Sequence, residues 1–181
     1  MSKKPEILES NIVAKSRLFK IEEMHLRFSN GEERRFERIH GWSHGSVMMV
    51  PMLDDKTMLL VREYAAGVGE YILGFPKGAM DPNEDLYVTA NRELKEEVGY
   101  GANDIIHVCK FATSPGYHTS VMQLVIAKDL YPEKHQGDEP EPLEVIPWSL
   151  DKLEELLVHP EFYESRSIAA LLLVAKHYDE Q

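Results

Sequence analysis

The chain has a single cysteine, Cys109, among 181 residues, so no intrachain disulfide can staple it. Cys109 sits inside the apolar run IIHVCKFA and reads as a small core residue, not as a nucleophile. Basic residues are also scarce. Twenty Lys and Arg stand against 31 Asp and Glu, a formal net charge of −11. That balance argues against nucleic acid as the main partner, because such binding runs on basic surface. It leaves room for a phosphate ligand where a divalent cation mediates the contact. No apolar run approaches the roughly 18 residues of a membrane span. The longest, IAALLLVA at 168–175, is expected to be a short buried helix segment. The opening MSKKPEILES is charged and lacks the apolar stretch of a signal peptide. These absences point to a reducing cytoplasm and to no membrane partner. There is no internal repeat and no low-complexity block.

What is present suits one domain with a full core, at 43% apolar and 28% charged residues. Residues 11–39 read as paired strands around the Asn-Gly turn of SNGE, 29–32. So polar a hairpin needs the main domain or a second subunit to pack on. Core-like strands follow at 47–53 and 57–64, then a Gly-rich loop, AAGVGE. A helix is expected from about Asp85 to Val98, with Leu86, Ala90, Leu94 and Val98 as its buried face and Gly99 as its stop. Strands near 107–112 and 122–130 precede an acidic loop, GDEPEP. Ser149 fits the N-cap of a helix to Val158, and a last helix covers about 165–178. Strands and helices mix without regular alternation, which predicts an α/β sandwich with a mixed sheet and not a doubly wound fold.

The helix carries RELKEEVGY, 92–100, and there the charges crowd. Glu93, Glu96 and Glu97 fall on one face at about 100° per residue. Like charges at that spacing repel by a few tenths of a kcal/mol per pair, and Lys95 lies on nearly the opposite side from Glu93. A bound cation would relieve this. Three carboxylates with a backbone oxygen make a hard-oxygen site suited to Mg²⁺ or Mn²⁺. Gly78 is expected to let the backbone turn tightly ahead of the helix.

The wider segment, GAMDPNEDLYVTANRELKEEVGY at 78–100, resembles the signature box of the Nudix hydrolase superfamily. Gly78, Glu84, Arg92, Glu93, Glu96, Glu97 and Gly99 stand at its fixed positions, and Leu94 fills the aliphatic slot. Tyr100 departs from the usual aliphatic residue. A chance match is on the order of 10⁻⁵. The resemblance implies a Nudix-type α/β/α sandwich over residues 43–181, behind an N-terminal β region at 1–42 that joins a homodimer. It implies attack of water on a diphosphate. Glu93 and Glu97 would be direct metal ligands, Glu96 a direct or water-mediated one, and the Lys77 backbone oxygen would complete the shell. Arg92 and Glu84 would pair to orient loop and helix. The base lies within the box in some branches and in a downstream loop in others. Here that loop offers Asp138, Glu139 and Glu141, with Glu139 the favoured base and Glu141 an auxiliary ligand.

Substrate markers are mixed. SPGY, 114–117, is similar to the segment of ADP-ribose pyrophosphatases, but Ser120 stands where that branch has Glu. Tyr117 resembles the tyrosine of dinucleoside-polyphosphate hydrolases. The zinc motif and proline-rich run of NADH pyrophosphatases are absent. The combination, through VREYAAG, LGFPKG, AKDLYPE and GDEPEP, looks like the bacterial ADP-compounds hydrolase type, which acts on ADP-ribose, NADH and diadenosine triphosphate. Arg62, Ser114 and Tyr117 are the implied substrate contacts. Phe28, Phe36 and Trp42 are candidates for an adenine slot. A narrow ADP-ribose pyrophosphatase, a non-catalytic ADP-ribose sensor and a nucleoside-triphosphate sanitiser are the competing readings.

Overall fold

Alternation along three apolar strands builds the protein's two cores. The structure, a computed structural model, describes residues 3–41 and 44–179. In strand β4 (Ser46–Pro51) Met48 and Val50 enter one core, and Val47 and Met49 enter the other. In β5 (Thr57–Ala65) Met58 and Leu60 part from Leu59 and Val61 in the same way. In β9 (Val121–Pro132) Leu124 and Ile126 part from Val125 and Ala127. Successive side chains on a strand point to opposite faces, so a continuous apolar run marks a strand covered on both sides. Helices supply the covers.

The body has two sheets. One is mixed, in the order β7-β4-β9-β8, with β7 at Lys77–Ala79 and β8 at Tyr100–Ala112. Within it β4 and β9 run parallel and the other pairs antiparallel. The second is antiparallel, in the order β10-β5-β6, with β6 at Glu70–Gly74 and β10 at Glu144–Ser149. Helix α1 (Leu86–Glu93) and the turn after it cover one core through Ala90, Leu94 and Val98. Helices α2 (Leu153–Leu157) and α3 (Ser165–Asp179) cover the other through Leu156, Ala170, Leu171 and Val174. This is the expected α/β sandwich. None of the helices among the described residues is long and apolar enough to cross a membrane.

Ahead of the body, β1 (Glu6–Lys15), β2 (Lys20–Arg27) and β3 (Glu33–Ile39) form an antiparallel sheet. The expected turn at SNGE is there, with Gly31 in the left-handed region. The sheet starts at Glu6, five residues before the sequence reading, because β1 is polar and carries no strong pattern. It grips the body at the SPGY segment: Ile39 N–H donates to Tyr117 O at 2.8 Å, and Gly41 N–H to Thr119 Oγ1 at 2.8 Å. Trp42 and the 42/43 boundary lie outside the described residues.

Other local expectations change. The loop AAGVGE is a hairpin turn, closed by Gly69 N–H donating to Ala65 O at 2.8 Å. The segment IAALLLVA is not wholly buried, since Leu172 is 53% exposed. Ala170, Leu171 and Val174 take the helical face that meets the core, which turns Leu172 and Leu173 outward. Ser149 caps as expected, but its first turn is 3₁₀, over Leu150–Lys152. Cys109 is half-buried against the core, and burial raises its thiol pKa.

Candidate active site

Helix α1 is fixed at both ends before its acids matter. Asp85 caps it by accepting from Tyr87 and Val88 N–H at 2.8 and 2.9 Å. The Asn91 amide pairs with both backbone groups of Ala102, at 3.0 and 2.9 Å, and locks the helix to β8. Beyond Glu93 the chain does not stay α-helical. Leu94–Val98 is a π turn, closed by Gly99 N–H donating to Leu94 O at 2.9 Å. Gly99 sits at φ +82°, a conformation that suits glycine. Two carbonyls of this segment are taken from outside: His135 N–H donates to Lys95 O at 2.9 Å and Lys134 Nζ to Glu96 O at 2.5 Å. Single π turns recur at functional sites.

On this frame Glu93 and Glu97 are buried, 8% and 6% exposed, and Glu96 is half-buried. Burial pushes Glu93 up to about 7, against the pull of Arg92 and helped by the charges of Glu96 and Glu139. Burial pushes Glu97 up to about 8, with Lys77 opposing and Glu93 and Glu63 adding to the rise. The Lys77 N–H donates to Glu97 Oε2 at 3.2 Å. Lys77 Nζ goes elsewhere, to Glu63 Oε2 at 2.6 Å. Lys95 pairs with Glu133 at 2.9 Å, away from the acidic trio.

Arg92 is the hub. Its Nε and Nη2 engage Glu84 at 3.1 and 3.2 Å, the expected pair, and Nη2 also reaches Ala79 O at 3.1 Å. Its Nη1 donates to Glu93 at 2.8 Å and Glu96 at 3.0 Å. Gly78 plays a different part from the one expected. It lies in β7 and is not among the residues at positive φ. A Cβ there would overlap the Glu93 carboxylate, so glycine is needed for close approach and not for a tight turn.

The acidic loop sits beside this helix. Glu139 and Glu141 border a cavity of about 250 Å³ together with Glu96 and Lys134. Glu139 is half-buried, while Glu141 and Asp138 are exposed. Tyr71 O–H donates to Glu141 at 2.5 Å. Ser114 borders a larger cavity of about 590 Å³ with Lys77 and Gly78. Tyr117 borders a third, of about 340 Å³, with Phe36 and Met24 of the N-terminal sheet. Phe28 packs on Phe36 at 6.1 Å between ring centroids. Arg62 stands apart: its Nε donates to Glu161 at 3.0 Å and its Nη1 to Glu144, and among the described residues none of its hydrogen bonds or ion pairs reaches the box.

The residues fit a divalent cation. Glu93 held against Gly78 and Glu97 held by the Lys77 N–H are desolvated carboxylates beside a third acid, a hard-oxygen set with more negative charge than its one bound guanidinium offsets. As placed, the Arg92 guanidinium partly neutralises the trio. No group of three or more His, Cys, Asp or Glu side chains among the described residues is set around one ion. Sequence reasoning missed Glu63, which sits unremarked within VREYAAG, and Tyr71 and Lys134, which lie outside the quoted motifs; the tertiary fold brings all three in.

The NUDIX domain description matches residues 42–172, most of the chain. The chain is a Nudix hydrolase. This Nudix hydrolase also matches the NudE-type Nudix hydrolase N-terminal domain over residues 5–38. It is 50% identical over 171 residues to ADP compounds hydrolase NudE of Escherichia coli strain K12, covering 94% of this chain and 91% of that one. It is 27% identical over 171 residues to an ADP-ribose pyrophosphatase of Bacillus subtilis strain 168, covering 91% of each. A crystal structure of an ADP compounds hydrolase superposes with a TM-score of 0.94 at 48% identity, over all of this chain and 97% of that one. The protein is accordingly a pyrophosphohydrolase, and enzymes of this family generally use divalent metal ions.

Proposed function

We propose that this Nudix hydrolase cleaves the pyrophosphate bond of ADP-linked compounds, namely ADP-ribose, NADH and diadenosine triphosphate, and releases AMP. The observation that carries the reading is the acidic loop, with Glu139 and Glu141, lying against the Glu93-Glu96-Glu97 face. A relative with half of its residues identical, which bears the name ADP compounds hydrolase, supports it.

Glu93, Glu96, Glu97 and the Lys77 backbone oxygen would hold Mg²⁺ or Mn²⁺, with Glu141 as auxiliary ligand. When bound, the cation polarises phosphoryl oxygens and lowers the pKa of water. Burial around Glu93 and Glu97 keeps water from competing for those oxygens. Glu139 takes the proton of the attacking water, and Arg92 aligns Glu93 and Glu96 for the job. Ser114 and Tyr117 contact the substrate from the SPGY segment, and Arg62 remains a candidate contact. The N-terminal region at 1–42, through its sheet β1–β3, serves as the arm of a homodimer, with Ile12, Val13 and Phe19 exposed on or beside β1 for a second copy to cover.

The test is incubation with Mg²⁺ and ADP-ribose, NADH, diadenosine triphosphate or dATP in ¹⁸O water, read by mass spectrometry. AMP from the three ADP compounds with little dATP turnover is expected, and the label identifies the attacked phosphorus. Turnover of ADP-ribose alone would replace the broad reading by a narrow pyrophosphatase. Tight binding without turnover would favour a sensor.

A further inference from the structure

The 590 Å³ cavity beside Lys77 and Gly78 differs in character from its neighbours. Ser46, Thr113, Ser114, Ser120 and Ser165 border it, and among the described residues its wall holds no Phe, Tyr or Trp. Such a hydroxyl-rich wall suits a sugar phosphate, and of its described residues only His118 and Arg166 offer a planar face to a base. The 340 Å³ cavity on the far side of His118, with Phe36 and Tyr117, has the opposite make-up.

Two strong cations border the hydroxyl-rich cavity, Lys77 and Arg166. Lys77 is already committed to Glu63 at 2.6 Å. Arg166 uses only Nε, which donates to Glu164 Oε1 at 2.5 Å. Its two terminal nitrogens hold no partner among the described residues. Glu164 also accepts from Arg166 N–H at 3.2 Å and from Ser167 N–H at 2.8 Å. It thereby caps α3 and takes two of its first amides, those of Arg166 and Ser167. The guanidinium's outer edge is then the uncommitted cationic donor for an anion in this cavity among the described residues. Held at Nε by a half-buried carboxylate, that guanidinium presents its outer edge as a fixed fork, the geometry that binds a phosphoryl group by two parallel hydrogen bonds.

We propose that Arg166 binds the phosphoryl group of the substrate's non-adenylate half, and that the hydroxyl-lined cavity receives the attached sugar. The inference rests on the ADP-compound reading for the identity of that half. It sets specificity: a compound with no phosphorylated sugar beyond the scissile bond gains nothing from Arg166.

The experiment compares wild-type protein, R166A and R166K in titrations with ribose 5-phosphate, AMP and ribose, alongside steady-state turnover of ADP-ribose. In R166A, ribose 5-phosphate binding falls roughly tenfold or more. AMP binding stays unchanged, and ribose binds equally weakly to all three proteins. KM for ADP-ribose rises by a similar factor with kcat little changed. R166K retains the charge without the fork and falls between the two. If R166A fails to fold, as judged by circular dichroism, R166K against wild type decides. Unchanged ribose 5-phosphate binding, or equal losses for AMP, would overturn the proposal. A wild-type chain that binds ribose 5-phosphate through Arg166 yet turns over no ADP-ribose would sink the hydrolase reading and leave this one standing.

Discussion

Gly78 and Glu93 show how closely single residues set this site. A methyl group at Gly78 would overlap the Glu93 carboxylate, so G78A must push that carboxylate out of its place. Overpacking against fixed neighbours costs about 1–3 kcal/mol, and yielding of the flexible Glu93 side chain brings the cost toward the low end. The expected result is a lower melting temperature and turnover reduced by about a hundredfold or more, in line with the cost of small misplacements in a site. Thermal denaturation and kcat measured together check it. Glu93 and Glu97 add a pH signature. Their folded values of about 7 and 8 lie above the ordinary 4.5, so the folded state binds more protons than the unfolded one in between. Stability of the cation-free protein should therefore fall as pH rises from about 4.5 to 8. A bound cation removes that penalty. The gap in melting temperature between Mg²⁺ and EDTA should be small at pH 5.5 and wide at pH 8.5. A gap independent of pH would mean that these carboxylates do not hold the ion.

At the scale of elements, the caps and alternating strands were legible in the sequence because their causes are local. Ser149 caps and Gly99 stops the helix as read, Asp85, read as the first helical residue, is its cap, and the apolar run VMMV alternates between two cores. The π turn was not legible, because Lys134 and His135, from beyond β9, take the Lys95 and Glu96 carbonyls. The short strands β6 and β7 hid in YILGFPKGA, where Gly and Pro mask a strand pattern. In the N-terminal sheet one buried acid ties all three strands. Glu22 on β2 accepts from Ser10 Oγ of β1 and from Arg38 Nε of β3 at 2.5 Å, and His40 Nε2 lies 2.9 Å away. Arg38 first, then Ser10 and His40, outweigh burial and hold Glu22 at about 2. Its contribution is full above about 4.5 and is lost as pH falls toward 2. Hydrogen exchange of β1–β3 should thus accelerate across that window in the wild type. E22Q should exchange faster at neutral pH and respond less to acid. Equal acid sensitivity in both would remove Glu22 as the tie.

For the whole molecule, the box acids were legible as a group in the sequence because they share one helix. The groups around them were not, since Glu63, which acts on Glu97, Tyr71, which holds Glu141, and Arg166, on the neighbouring cavity, come from distant segments. Arg62 shows the converse: a residue placed by resemblance is engaged by Glu144 and Glu161, which no pattern announces. Assembly belongs to this scale too. The exposed side chains of Ile12, Val13 and Phe19 are expected to be covered in a dimer. Sedimentation equilibrium should give twice the mass of 20.8 kDa, and F19E should shift the protein toward monomer. A monomeric wild type would dismiss the arm. The account as a whole stands on the carboxylates of the box helix. Its most direct test is turnover of ADP-ribose by E97Q beside wild type, at saturating Mg²⁺, with melting temperatures recorded for both. AMP release lowered by several orders of magnitude in a folded E97Q is the predicted result. AMP release at the wild-type rate would contradict it, because the proposed cation site would then have no part in the reaction.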